Sequence, residues 1–302
     1  MDRLDNRFLR EFLSVAQAGS IRAAADQMNT VPSAISRKIA AAEERLEIKL
    51  FERTSRGVAL TQAGECLREH ALNIQDEQSY VLDQLRRFHS LETHEVRIAV
   101  GEGFVDDLME NGLATLKKKQ QRLKFHLGYA GTQELQRRVA QGEVDIAIAY
   151  NPQMRDSIRS LAVGRQPLYA IVPPDSPLAA RGPVGLSEVL EYPICLPNDD
   201  HAIRRMVTRA ASDQGLVLNP QIETESLNLL IKSVSSGMGV TFLPRCSVTN
   251  QEKRREVVAV PLKEASFQRV SAHLMVRARR RLPQSVEVAA TFLSGRMQAF
   301  NG

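Results

Sequence analysis

Residues 20–61 constrain the chain most, because their order permits only one common local plan. In Ser20-Ile21-Arg22-Ala23-Ala24-Ala25-Asp26-Gln27-Met28, Ser20 is placed to cap a helix, and Ile21, Ala24, Ala25 and Met28 recur on one face. Ala24 and Ala25 are small enough for a second helix to cross closely, and Asn29-Thr30-Val31 is a connection short enough to force a sharp angle. Pro32 suits the first turn of that second helix, where the N–H it lacks would have no intrahelical partner. Ile35, Ile39, Ala42 and Leu46 then face a core, which turns Ser33, Ser36, Arg37 and Lys38 away from it. After Leu50-Phe51, the segment Arg53-Thr54-Ser55-Arg56-Gly57-Val58 reads as a short basic hairpin. Two angled helices followed by such a hairpin are the plan of a winged helix-turn-helix, which lays its second helix in the DNA major groove.

A Ser-Arg-Lys run alone is usually a solvated face; the ordered succession of cap, small-residue face, turn, Pro-opened helix and wing is what points to a duplex. Arg37 is expected to make a bidentate contact to a guanine edge, Ser33 and Ser36 to contact a base or phosphate, and Lys38 to meet backbone phosphate. Arg53 and Arg56 on the wing are expected in the adjacent minor groove or on phosphate, and Ser20, Arg22 and Pro32 complete the DNA-contacting set.

These residues carry a resemblance. Phe8, Phe12, Val15-Ala16, Gly19-Ser20, Ala23-Ala24-Ala25, Pro32-Ser33-Ala34-Ile35-Ser36-Arg37, Ile39, Glu43, Leu46, Leu50-Phe51-Glu52-Arg53, Arg56-Gly57 and Leu60-Thr61-Gln62-Ala63-Gly64 resemble the N-terminal signature of the LysR-type transcriptional regulators. Two positions depart from it: Ala42 stands where Leu is usual before the Glu, and Val31 where a polar residue is commoner. The resemblance implies a ligand-responsive transcription factor that binds double-stranded promoter DNA, assembles as a dimer and commonly a dimer of dimers, and can meet the transcription machinery.

From residue 61 to about 91 there is no Pro and one Gly, and Leu67, Ala71, Ile74, Gln78, Val81, Leu85 and Phe88 alternate in steps of four and three. Such a stripe on an extended helix, roughly 40 Å long at about 1.5 Å per residue, needs a partner to leave water. The favoured reading is a dimerisation helix using Leu67, Ile74, Val81, Leu85 and Phe88, with Gln78 fixing register; the alternative is an amphipathic helix lying on its own domain.

After residue 93 strands and helices alternate. Residues 96–100, 124–128 and 144–149 read as buried strands separated by amphipathic segments 105–119 and 133–141, a βαβ series that implies a parallel sheet. A second set follows, with strands at 168–172, 193–196, 222–224 and 240–242 and helices at about 201–214 and 227–236. The chain then returns through a strand at 270–276 and a closing helix at 285–300. Two lobes joined by two crossings make a hinged cleft. With Gly142-Glu143-Val144-Asp145-Ile146-Ala147-Ile148 and Ser236-Gly237-Met238-Gly239-Val240-Thr241-Phe242-Leu243-Pro244, this half resembles the periplasmic-binding-protein-like effector domain of the same family.

The expected fold is therefore α/β multidomain: a winged helix-turn-helix at 1–60, a linker helix at 61–92 and a two-lobed α/β effector domain at 93–302. Lobe I takes residues 93–165 and 269–302, lobe II residues 166–268. Ligands bind at the carboxyl ends of such strands, which selects Glu102, Gly103, Gly131, Thr132, Tyr150, Asn151, Asn198, His201, Ser226 and Thr241. Thr132 and Ser226 stand where helices begin, so their hydroxyls and the following N–H groups can hold a carboxylate or simply cap the helix. Glu102 would repel an anion; it can pair with the amino group of a zwitterionic or amine-bearing effector, or point to solvent. His201 is either a ligand contact or a cap.

Composition excludes more than it selects. A chain of 302 residues, 43% hydrophobic, supports two or three cores, and a net charge of +5 does not mark a nucleic-acid binder by itself. Cys66, Cys195 and Cys246 form no CxxC pair or zinc cluster, so reduced structural thiols are expected, with a redox disulfide as the alternative. There is no G-x-S-x-G elbow, Walker loop or H-E-x-x-H helix, and Gly101-Glu102-Gly103 lacks the third Gly of a dinucleotide loop. Neither an enzyme nor a resident cofactor or metal is expected, and an architectural DNA binder would not need so large a second half. No apolar run suits a membrane span and no secretory pattern opens the chain, so a cytoplasmic protein is expected.

Overall fold

The computed structural model describes residues 4–55, 57–86 and 94–301. The chain divides into two units, Met1–Phe88 and His89–Gly302.

The first unit opens with α1 (Asn6–Ala18), α2 (Ile21–Gln27) and α3 (Pro32–Leu46). Asp5 caps α1 by accepting from the Phe8 N–H at 2.7 Å, and Ser20 caps α2 by accepting from Ala23 at 3.4 Å. Phe8, Leu9, Phe12 and Val15 of α1 pack on Ala24 and Ala25 of α2 and on Ile35, Ile39 and Ala42 of α3. The two alanines are fully buried, which is the close crossing their size allows. β1 (Phe51–Thr54) and β2 (Gly57–Leu60) form an antiparallel wing. The Val58 N–H donates to the Gly19 carbonyl at 2.9 Å, so the wing docks on the α1–α2 turn. Gly57 has φ +135° and a Cβ there would lie 2.3 Å from the Gly19 oxygen, so only glycine fits.

α4 (Gln62–Arg86) follows, and here the expected seam divides. Leu67 and Ala71 are buried in the core of their own unit and Ile74 packs against it, whereas Val81, Leu82 and Leu85 are 46%, 51% and 56% exposed. Leu67 is therefore a core residue and not a free dimerisation contact, because the start of α4 has α1 to lie against. Phe88 lies outside the described residues.

The second unit contains, in order, β3 (His94–Val100), α5 (Val105–Asp107), α6 (Ala114–Lys119), β4 (Leu123–Tyr129), α7 (Thr132–Ala140), β5 (Ile146–Tyr150), β6 (Ile158–Arg165), β7 (Leu168–Val172), α8 (Leu186–Val189) and β8 (Ile194–Pro197). It continues with α9 (Ala202–Asp213), β9 (Pro220–Thr224), α10 (Leu227–Ser235), β10 (Thr241–Pro244), α11 (Thr249–Lys253), β11 (Val258–Pro261), α12 (Ala265–Gln268), β12 (Ser271–Arg277), α13 (Gln284–Arg296) and α14 (Gln298–Asn301). One lobe is a five-stranded sheet of order β4-β3-β5-β12-β6. β4, β3 and β5 run parallel, but β12 is antiparallel to both β5 and β6, so the sheet is mixed and not parallel throughout. The reason is topological: β6 leaves for the other lobe and β12 returns from it, and the two cross side by side, with Gln166 N–H donating to the Val270 carbonyl at 2.9 Å. In the second lobe β10-β7-β11 are antiparallel and β8-β9 parallel, joined where Cys195 N–H and Val240 N–H donate at 2.8 Å to the Val240 and Pro193 carbonyls.

Two buried carboxylates fix the first lobe. Asp145 accepts from the Arg97 N–H at 2.8 Å and from the Arg97 and Arg280 guanidiniums at 3.1 and 2.6 Å. Burial raises its pKa, but the Arg97 hydrogen bond and the Arg280 charge outweigh that and hold it below the usual carboxylate value. Asp107 accepts from the Gln298 and Ala299 N–H groups at 3.0 and 2.8 Å and so starts α14. The expected closing helix is accordingly two, broken at Met297, which is extended at ψ 136°. The expected helix at 105–119 is continuous in space but includes a wider π turn over Leu108–Leu113.

Candidate DNA interface and ligand cleft

α3 presents Ser33, Ser36 and Arg37 to solvent, with Pro32 at its first turn. Arg37 lies along the helix, its Nε donating to the Ser33 carbonyl at 3.3 Å. Arg22 on α2 and Arg53 on the wing are exposed, Ser20 is spent as a cap, and Arg56 lies outside the described residues. Lys38 has a role that its place on the helix face does not suggest. Its ammonium pairs with Glu11 of α1, whose side chain is 7% exposed and also takes Arg7 Nε at 3.3 Å. A buried carboxylate needs that partner, so Lys38 serves the α1–α3 packing.

Glu43, part of the signature, was given no role from the sequence. It is buried and accepts from the Leu50 and Phe51 N–H groups at 2.9 and 3.0 Å and from Lys49 Nζ at 2.8 Å, which fixes β1 relative to α3. Burial raises its pKa and these donors outweigh burial, leaving it lowered. The signal was present: a Glu one residue after Ala42, at the core-facing edge of the helix. Val31, noted above only as a departure from the signature, is 59% exposed before Pro32.

Between the lobes lies a cleft of about 600 Å³. Glu102, Gly103, Gly131, Thr132, Tyr150, Asn198 and His201 line it; Asn151, Ser226 and Thr241 do not. Asn151 adopts φ 47° and donates its N–H to the Ser271 carbonyl at 2.8 Å, a strand-end role. Thr241 is fully buried within its lobe, its hydroxyl without a hydrogen-bond partner among the described residues. Ser226 caps α10, accepting from Leu229 N–H at 3.4 Å. Thr132 is the first residue of α7 and no cap; its hydroxyl donates to the Tyr150 carbonyl at 3.0 Å. The Tyr150 hydroxyl in turn donates to the Gln166 carbonyl at 2.9 Å at the lobe crossing, and burial, with Cys246 nearby, pushes its pKa well up.

Glu102 does not point to solvent. It caps the start of α10 across the cleft, with Leu227 N–H at 2.9 Å. His201 caps α9, its Nδ1 accepting from Ile203 N–H at 3.2 Å, which leaves Nε2 as the protonated nitrogen of the neutral ring. Burial holds its pKa below the ordinary imidazole value, Arg205 adding to this and Asp200 and Glu102 opposing it. Residues of the cleft that the strand-end argument missed include Tyr129, the last residue of β4, and Phe104, Glu134, Arg137 and Arg205, which arrive on the helical turns after the strand ends. Arg137 binds Glu134 at 2.7 Å and Glu143 at 2.6 Å, and its hydrogen bond brings Glu134 down to about 2. A hollow of similar size, about 630 Å³, beside Arg165, Tyr169 and Arg245 gathers none of the expected residues.

All three cysteines are free. Burial raises the thiol pKa of Cys195, and of Cys246 to about 12, so both are protonated and poor nucleophiles at neutral pH. Among the described residues no helix is long and apolar enough to cross a membrane, and no group of three His, Cys, Asp or Glu is placed to hold a metal.

Residues 7–65 match the model of the bacterial regulatory helix-turn-helix protein of the lysR family, and residues 89–298 that of the LysR substrate binding domain. The chain belongs to the LysR family. The HTH-type transcriptional regulator YofA of Bacillus subtilis is 29% identical over 252 residues, 82% of this chain and 84% of that protein. The transcriptional dual regulator GltC of the same organism is 26% identical over 283 residues, 93% and 94% of the two chains. Full-length OxyR of Pseudomonas aeruginosa, at 19% identity, matches the fold with a TM-score of 0.75 over 100% of this chain and 98% of that one. As a LysR-type protein the chain is a DNA-binding transcriptional regulator modulated by a small-molecule effector, and not an enzyme. Its partners are promoter DNA, further copies of itself and that effector.

Proposed function

We propose that this LysR-type regulator reads its operator through α3 of two protomers and its effector through the cleft between the lobes. The observation that carries the first half is the exposed face of Ser33, Ser36 and Arg37 on a helix whose opposite side is core. Arg37 supplies the bidentate base contact, the serines and Arg53 hold phosphate or base edges, and the exposed Val31 offers an apolar contact to a thymine methyl. The remaining exposed apolar residues of α4, Val81, Leu82 and Leu85, pair two protomers, and such dimers pair again. The protein acts in the cytoplasm, where its promoter is. Effector in the cleft biases one arrangement of the assembly over another by about 1–3 kcal/mol, the usual size of such coupling.

Operator and random-duplex binding by Arg37→Ala tests the base contact. The variant is expected to lose most of the preference for operator, a cost of about 1–3 kcal/mol, while keeping its random-DNA affinity. A wild-type preference removes Arg37 from the reading role. Thermal shifts of the second unit against a metabolite panel test the cleft.

A further inference from the structure

One end of the cleft already holds an anion, and that anion belongs to the chain. Glu102, on the loop after β3 in the first lobe, reaches the second lobe with both carboxylate oxygens. Oε1 accepts from the Ser226 hydroxyl at 3.0 Å and from the Asn228 N–H at 3.1 Å, and Oε2 accepts from the Leu227 N–H at 2.9 Å. α10 is nine residues long, and its first-turn N–H groups have no partner within the helix. They carry the positive end of its dipole, which makes them the donors that a carboxylate ligand would otherwise use.

The loop is shaped for this reach. A Cβ on Gly103 would lie 2.5 Å from Ser247 Oγ and 3.4 Å from Leu227 Cδ1, so a side chain there would push the loop off the second lobe. Phe104, buried beside it, pins the loop on its own side. The rest of the lining agrees in sign: four carboxylates, Glu102, Glu134, Asp200 and Glu225, stand against the two guanidiniums of Arg137 and Arg205. Arg137 is moreover taken up by Glu134 and Glu143.

We propose that Glu102 is a resident substitute for an effector carboxylate. It occupies the anion site at the start of α10, ties the lobes together across the cleft, and makes this regulator select an effector that is neutral or positively charged at that end. An acid approaching α10 meets a filled site and the repulsion of the group that fills it. The selectivity rests on the reading of the cleft as the effector site; the tie between the lobes does not.

Chemical rescue tests it. Glu102→Ala removes one methylene and the carboxylate, and acetate supplies the same group. The chain has no Trp, so Tyr129→Trp, at an exposed position of the cleft wall, gives the full-length protein a unique fluorescent reporter. In that background Glu102→Ala is expected to lower the unfolding temperature of the second unit by at least about 4 °C. Acetate at matched ionic strength should restore much of the loss and shift the Trp emission, chloride should do neither, and the parent should not respond to acetate. Unfolding at the parent's temperature, or equal recovery in chloride, overturns the proposal. Should Glu102→Ala not fold, Glu102→Gln carries the test, since its amide nitrogen would face helix N–H groups; stability equal to the parent's overturns the tie. A carboxylic effector that binds the parent and Glu102→Ala equally well overturns the selectivity and leaves the cleft standing as the effector site. A metabolite panel without any hit on the parent strikes the cleft reading alone.

Discussion

Two side chains of the functional surfaces do work that their positions alone do not suggest. Lys38 points out of α3 by helical arithmetic, yet its ammonium neutralises the buried Glu11. Lys38→Ala should therefore destabilise the first unit by about 1–2 kcal/mol, less than a fully buried pair because Lys38 is 39% exposed. The slope of log affinity against log salt should stay unchanged; a fall of about 0.9 per protomer would return Lys38 to a phosphate. His201 gives a prediction in pH. Its folded pKa is lowered, chiefly by burial, so the unfolded chain binds its proton first. Its contribution is present above the unfolded value of about 6.5 and is lost as pH falls from there through the folded value. His201→Asn keeps an N-cap without the titration, so melting of the second unit should become less sensitive to pH below about 6.5; His273, also lowered by burial, and the lowered carboxylates Asp145 and Glu134 account for what sensitivity is left. At this scale the caps Ser20 and Ser226 were legible, because capping is a relation within four residues. The destination of Glu102 was not, because its partners lie 124 to 126 positions away.

At the scale of elements, α4 shows why one pattern can hide two roles. Leu67, Ala71 and Ile74 continue in register with Val81 and Leu85, yet the first three meet the core of their own unit and the last two meet solvent in the single chain. Periodicity reports that a face is apolar and is silent on what covers it. Leu67→Ala should cost the first unit about 2–4 kcal/mol and change self-association little. Leu82→Lys with Leu85→Lys should leave that unit's melting alone and raise the dimer dissociation constant about tenfold or more, measured by sedimentation. The opposite split would assign the seam the other way round. Strands β7 and β12 were legible as apolar runs, whereas β6 was missed: it is an edge strand with Leu161 and Val163 exposed, so neither of its faces marks it as a strand. That omission also hid one of the two antiparallel pairings, β12 with β6; β12 alone runs against the other four strands.

For the whole molecule, the two units each rest on a buried carboxylate that gathers donors from separate segments. Glu43 joins α3 to the wing, and Asp145 joins β3 to the segment after β12. Units with their own cores unfold on their own when little couples them, so each carboxylate should govern one transition only. Both have lowered pKa values in spite of burial. Their stabilisation is complete above the unfolded values of about 4.3 for Glu and 3.9 for Asp, and is lost as pH falls from there through the folded values. Asp145→Asn removes the charge facing Arg97 and Arg280 and should cost the second unit about 3 kcal/mol at pH 7, lowering its calorimetric transition and flattening its acid dependence. Glu43→Gln should do the same to the first transition. If either substitution moves both transitions together, the units unfold as one, and a signal from the cleft to the DNA-binding helix would then travel through a single cooperative body instead of between two.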